Sequence, residues 1–194
     1  MKYINSVRES FRNKPVFSIK DLRVFLAKKR ISKDYSNTLI HNMTEKKEIS
    51  RITKGFYSFK KDLMVSGFAF TPFYYGLQES LSIRNLWEQE TNPVIVTPKK
   101  VRPGTRKILD SNVLIRRINR KMFFGFELIK HFDLWIPVSD TEKTLIDFAY
   151  FNEALPEEAL KEIKKQLNKK KLEEYLKKCP ETTRKKTRKL LNKE

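Results

Sequence analysis

Apolar residues in the first third of the chain recur at helical spacing three times, and the pattern then changes to alternation. Ile4, Val7 and Phe11 mark a helix over residues 3 to 12. Ile19, Leu22 and Leu26 mark a second, opened by Ser18 with Asp21 three residues on, a relative of the Ser-x-x-Glu capping box. A third runs from Ser32, another capping residue, to about Lys46, with Ser36, Leu39, Ile40 and Met43 on one face. "EISRI" and "FYSF" then alternate on either side of Thr53-Lys54-Gly55, as two short strands do around a tight turn whose positive φ a glycine supplies.

Beyond Leu63 the pattern shortens. In "FAFTPFYYGLQESLSIRNLWEQE", Tyr74, Leu77 and Leu81 share a stripe that predicts a helix, and "NPVIVTP" reads as a short buried strand. "RKILD", "NVLIRRI", "FGFELIK" and "LWIPVS" continue as strands, with turn signals at Pro103-Gly104, Ser111-Asn112 and Gly125. A small, mainly antiparallel sheet is the expectation. "SDTEKTLIDFAYF" predicts a helix opened by a capping box of Ser139 and Glu142, with Leu145, Phe148 and Ala149 facing the core. That leaves Lys143, Thr144 and Asp147 on outward faces. From Pro156 onward the chain reads as charged helices, with Pro156 and Pro180 near helix starts.

The fold class is therefore α+β, with an N-terminal domain over residues 1 to 61 and a mixed domain over 62 to 194 ending in a basic helical tail, about 156 to 194. Helix, helix, helix, hairpin is the order of a winged helix-turn-helix, which makes the hairpin a wing.

Charge sharpens this reading. The 194 residues carry a formal +19, too large for ordinary solubility and suited to a polyanionic partner. Residues 1 to 61 hold 16 basic against 5 acidic side chains, residues 62 to 155 hold 12 against 11, and residues 156 to 194 hold 14 against 7. The outward face of the third helix carries Lys33, Tyr35, Asn37, Thr38, His41 and Asn42, with Asp34 as its only acid. Asn can bond adenine with two hydrogen bonds and Thr can touch a thymine methyl, while Ser32 and Lys33 suit a phosphate at the helix start. Arg51 and Lys54 on the wing are placed to follow a phosphate backbone. A plain solvated helix face is the competing reading.

No catalytic constellation stands out, so no enzyme activity is expected. Gly-rich phosphate loops and a Ser or Cys nucleophile with a His partner are lacking, and the acids Asp110, Glu127, Asp133, Asp140, Glu142 and Asp147 select no metal pair by spacing. His41 and His131 are the only histidines, read as a DNA-face residue and a structural one. Cys179 is the one cysteine, so neither a disulfide within the chain nor a thiolate metal site is expected, and no cofactor is implied. With no signal-like N-terminus and no run of about 20 apolar residues, a cytoplasmic protein without membrane contact is expected.

"RITKGFYSF", "YYGLQESL", "VIVTP", "FFGFELI" and "IPVSDTEKTLIDF", in that order, resemble the AbiEi family of transcriptional regulators, antitoxins of type IV toxin-antitoxin systems. The similarity runs from about Phe17 to Phe151. Its most specific part is Ser139 to Asp147, with Ser139, Glu142, Lys143, Thr144 and Asp147 as the motif. Gln78 and Glu79 depart from the small residue of the family pattern, and the tail after Pro156 is short and very basic. The resemblance implies a repressor of its own operon that binds double-stranded operator DNA, with inverted repeats, and counters a nucleotidyltransferase-like toxin without a stable complex. A winged-helix regulator with no toxin partner and a nucleic-acid-modifying enzyme are the alternative readings.

Overall fold

A computed structural model describes residues 3–89 and 91–192 of the protein. The chain divides into two compact units, Met1–Thr71 with Lys107–Asn112, and Pro72–Arg106 with Val113–Glu194.

In the first unit the apolar stripes fold as their spacing predicts. Helix α1 (Ile4–Phe11), α2 (Ile19–Lys28) and α3 (Asp34–Glu45) bury Val7, Phe11, Leu22, Leu26, Leu39 and Met43 in one cluster. Ser18 caps α2 with a reciprocal box, its hydroxyl accepting from the Asp21 N–H at 3.1 Å while the Asp21 carboxylate accepts from the Ser18 N–H at 2.8 Å. The hairpin of β2 (Ser50–Thr53) and β3 (Phe56–Ser58) turns through Gly55 at φ +78°. A further strand, the two-residue β1 (Phe17–Ser18), lies antiparallel to β3 and makes a sheet ordered β1-β3-β2. The sequence gives no sign of it beyond the cap. A 3-10 helix over Leu63–Phe70 follows.

The second unit is built on a mixed six-stranded sheet, where a mainly antiparallel one was expected; Lys107–Asn112, at the end of β6 and the start of β7, are counted with the first unit. Its strands are β4 (Tyr74–Tyr75), β5 (Val94–Thr97), β6 (Gly104–Ile108), β7 (Ser111–Arg117), β8 (Phe126–His131) and β9 (Leu134–Ser139), ordered β6-β7-β5-β4-β9-β8. The β4/β5 and β8/β9 pairs are antiparallel, but β4/β9 and β5/β7 are parallel. The β5/β7 pair is parallel because β6 takes the outer position, so β7 returns alongside β5 in the same direction.

Tyr74 and Tyr75 are strand residues, correcting the expected helix. The helical part, α4, is only Gln78–Ile83, and Leu77 just before it sits at φ +55°, which breaks any continuous helix from Tyr74. Four helices complete the unit: α5 (Thr141–Phe151), α6 (Glu157–Gln166), α7 (Lys169–Lys177) and α8 (Glu181–Leu191). Leu145, Ile146 and Phe148 of α5 share a core with Leu160 and Ile163 of α6, and Leu172 and Leu176 of α7. Residues 156 to 192 are thus part of this core rather than a tail. Among the described residues no helix is long and apolar enough to cross a membrane.

Candidate functional site

Helix α3 presents two faces of opposite character. Ser36, Leu39, Ile40 and Met43 are buried, while Lys33, Asn37, Thr38 and His41 are exposed and Asn42 is half-buried. Tyr35 does not belong wholly to the outward set. Its ring is half-buried on the core of this unit and meets Tyr3 edge-on with centroids 6.2 Å apart, so much of its surface is committed to packing. Ser32 is not the N-cap expected for this helix. That position falls to Lys33, which makes no side-chain cap, and the Ser32 hydroxyl instead accepts from the Asp34 N–H at 3.3 Å.

Neighbouring elements hold α3 and the hairpin in place. Arg23 of α2 donates to Ser36 Oγ at 3.3 Å and to Asn37 Oδ1 at 3.5 Å. Arg8 of α1 grips the Glu48 carboxylate with two bonds, 2.9 and 2.7 Å, fixing the chain that leads into β2. That bonding holds the Glu48 carboxyl below its ordinary range. The turn of the hairpin is tied to the start of α2 through the Ile19 N–H, which donates to the Gly55 carbonyl at 2.9 Å. Arg51 and Lys54 are exposed on it. The residues expected to read DNA therefore sit on two elements of one small unit, cross-braced by α2.

The Ser139 to Asp147 segment differs most from expectation. Strand β9 runs through Ser139, so the cap of α5 moves one residue on to Asp140, whose carboxylate accepts from the Lys143 N–H at 2.8 Å. Ser139 and Glu142 form no capping box. Ser139 Oγ shares a hydrogen bond with Thr144 Oγ1 at 2.8 Å, and Thr144 Oγ1 shares another with Ser80 Oγ at 2.9 Å. Glu142 accepts from the Asn168 N–H at 2.8 Å and pairs with Lys171 at 3.2 Å.

Lys143, Thr144 and Asp147 are not on an exposed edge either; all three are fully buried. The Lys143 ammonium contacts the Asp147 carboxylate directly and donates to Tyr74 Oη at 3.0 Å, while Tyr74 donates to the other Asp147 oxygen at 2.8 Å. The three groups close a ring of hydrogen bonds between β4 and α5. Burial pushes both the Tyr74 phenol and the Asp147 carboxyl upward, the first well above its ordinary value, although Lys143 pulls Asp147 back. Close packing completes the enclosure. Gly125, at φ +71°, lies so near α5 that a Cβ there would stand 2.9 Å from Lys143 Cβ and 2.8 Å from the Tyr175 ring.

Lys171 is half-buried and bridges Asp140 at 3.1 Å and Glu142 at 3.2 Å, so the lysine run at 169 to 171 is partly answered by acids of α5. Arg188 and Lys185 of α8 likewise pair with Glu173 and Glu181. Among the described residues no group of three or more His, Cys, Asp or Glu side chains is gathered to hold a metal.

No family model matches the chain, and no curated protein sequence matches it. A solved structure does. The crystal structure of the RV2827C protein from Mycobacterium tuberculosis superposes with a TM-score of 0.62 at 14% identity, covering 99% of this chain and 77% of that one. The two share a fold at this level of identity.

Proposed function

We propose that the first unit is a winged helix that reads double-stranded DNA, and that the protein is a repressor of the AbiEi type acting on its own operon. The observation that carries the reading is the exposed set Lys33, Asn37, Thr38 and His41 on α3, braced beside a hairpin bearing Arg51 and Lys54. A segment with 16 basic and 5 acidic residues surrounds it. In such a module α3 enters the major groove and the hairpin follows the backbone.

The resemblance extends the reading to an antitoxin opposed to a nucleotidyltransferase-like toxin. The Ser139 to Asp147 motif supports it as the frame of the second unit, since its polar groups are spent inside, and antitoxicity then acts through that unit's surface. Two measurements test the parts separately. Footprinting the whole chain on its own upstream region should protect an inverted repeat, and absence of any protected region would overturn the repressor. Co-expression with an adjacent nucleotidyltransferase gene should restore growth, and failure there with the footprint intact would leave a regulator without a toxin partner.

A further inference from the structure

Strands β5 and β7, one of the two parallel pairs in the sheet, end side by side, with Thr97 opposite Arg117 in the ladder. Open sheets commonly bind ligands beyond the carboxyl ends of such strands, where adjacent loops diverge. Here the loops frame a hollow of about 850 Å³, lined by Lys99 and Lys100 after β5, and by Arg117, Asn119 and Arg120 at and after the end of β7. No acid is among its lining residues, in a stretch of chain otherwise almost balanced in charge. Among the described residues no acidic side chain pairs with Lys100, Arg117 or Arg120. Phe123 supplies an aromatic wall.

The hollow is built, not a chance gathering of surface lysines. Thr97, fully buried, donates to the Pro72 carbonyl at 2.7 Å, accepts from the Lys99 N–H at 3.1 Å, and through its own carbonyl receives the Ile118 N–H at 3.0 Å. One residue thereby fixes three segments of the rim. Phe123 is held from behind by Tyr74 and Phe126, with ring centroids 5.5 and 4.9 Å away, and Tyr74 is itself locked by Lys143 and Asp147.

We propose that this hollow binds a nucleoside phosphate, with the phosphates among Lys99, Lys100, Arg117 and Arg120 and the base against Phe123. The cations supply a fourfold positive charge, arginines match phosphate oxygens in pairs, and the volume falls in the range of small-ligand pockets, roughly 300 to 1,000 Å³. Aromatic stacking accepts any base, so recognition rests on the phosphates. The inference is independent of DNA reading by the first unit. A free nucleotide and a nucleic-acid strand share this chemistry.

The test is titration of the full chain with fluorescently labelled ATP, inorganic triphosphate, and single-stranded RNA and DNA 12-mers, for wild type, Arg117→Ala/Arg120→Ala and Phe123→Leu. Binding weakened at least tenfold by the double arginine substitution, with an unchanged melting temperature, supports the site. Phe123→Leu should then weaken the labelled ATP more than the triphosphate. Tighter ATP than 12-mer identifies a free nucleotide as the ligand, and the reverse identifies a strand. Binding of none of the probes below millimolar concentration, or binding indifferent to the arginine substitutions, overturns the proposal.

Discussion

Lys143 and Asp147 stand one turn apart on α5, and both are fully buried with their charges in contact. On an exposed helix such a pair contributes a few tenths of a kcal/mol. Inside a core it costs desolvation of two ions and leaves an expensive orphan when one partner is removed. Lys143→Met should therefore destabilise the protein by about 3 to 5 kcal/mol, and Lys143→Met/Asp147→Leu by clearly less. Burial already favours the protonated Asp147, and Lys143 is the main group opposing that. With Lys143 gone, the folded state takes up a proton that the unfolded chain holds less tightly, so stability must rise as pH falls toward the unfolded Asp value of about 3.9. Melting temperatures of the single variant should climb between pH 7 and 5 relative to wild type. A flat difference would mean that the carboxylate has found another partner.

Tyr175 gives a prediction of the same kind on the alkaline side. Its phenol donates to Asp140 Oδ2 at 2.8 Å, and burial together with that carboxylate pushes its pKa up to about 12, from an ordinary 10.0. The folded state keeps the proton where the unfolded chain has lost it. Its stabilising contribution is thus complete below pH 10 and disappears as pH rises toward 12. The informative quantity is a difference between two proteins at each pH. Tyr175→Phe should melt lower than wild type at pH 8, and the gap should narrow by pH 11.5. A gap that stays constant would place the proton elsewhere.

The parts of this molecule that were legible in its sequence are those with one buried face and local caps. Helices α1, α2 and α3 follow directly from Ile4/Val7/Phe11, Ile19/Leu22/Leu26 and Leu39/Ile40/Met43, and the hairpin from Gly55. What escaped depends on partners distant along the chain. Tyr74 imitates a helical stripe with Leu77 and Leu81, yet it lies in a strand, where Tyr74 pairs with Val96 and Tyr75 with Val138. Periodicity assigns every charge to the outside, which misplaced Lys143 and Asp147. A signal was present, because Leu145, Ile146, Phe148 and Ala149 leave α5 little room for a polar face, and a Lys–Asp pair on such a helix must look inward. The cationic hollow could not be foreseen, since nothing local announces that Lys99 and Arg120 follow adjacent parallel strands.

Removing α8 tests whether the basic C-terminal segment is an appendage or a wall. Thr183 and Thr187 of α8 are buried, and Lys186 reaches the Asn152 side chain that ends α5 at 3.1 Å. Truncation after Pro180 should expose α5, lower the melting temperature and raise binding of a hydrophobic dye. Were the segment only a charged extension, truncation would leave melting unchanged and reduce non-specific DNA affinity alone.

The division of labour proposed for the first unit makes a prediction about salt. Asn37 lies on the exposed face of α3 and Asn42 at its half-buried margin, so Asn37→Ala and Asn42→Ala should relax base preference. The cost is about 1 to 3 kcal/mol on the operator where the amide makes a two-bond contact with adenine, and little on unrelated DNA. Arg51 and Lys54 lie on the hairpin proposed to follow the phosphate backbone, so their replacement should weaken all sequences alike. Each lost phosphate contact also releases about one counterion fewer, so the slope of log K against log salt should flatten by about 0.9 per residue. The checking measurement is affinity for operator and scrambled duplexes at four salt concentrations. Equal losses on both duplexes for Asn37→Ala, or an unchanged slope for Arg51→Ala/Lys54→Ala, would remove α3 or the hairpin from the DNA interface.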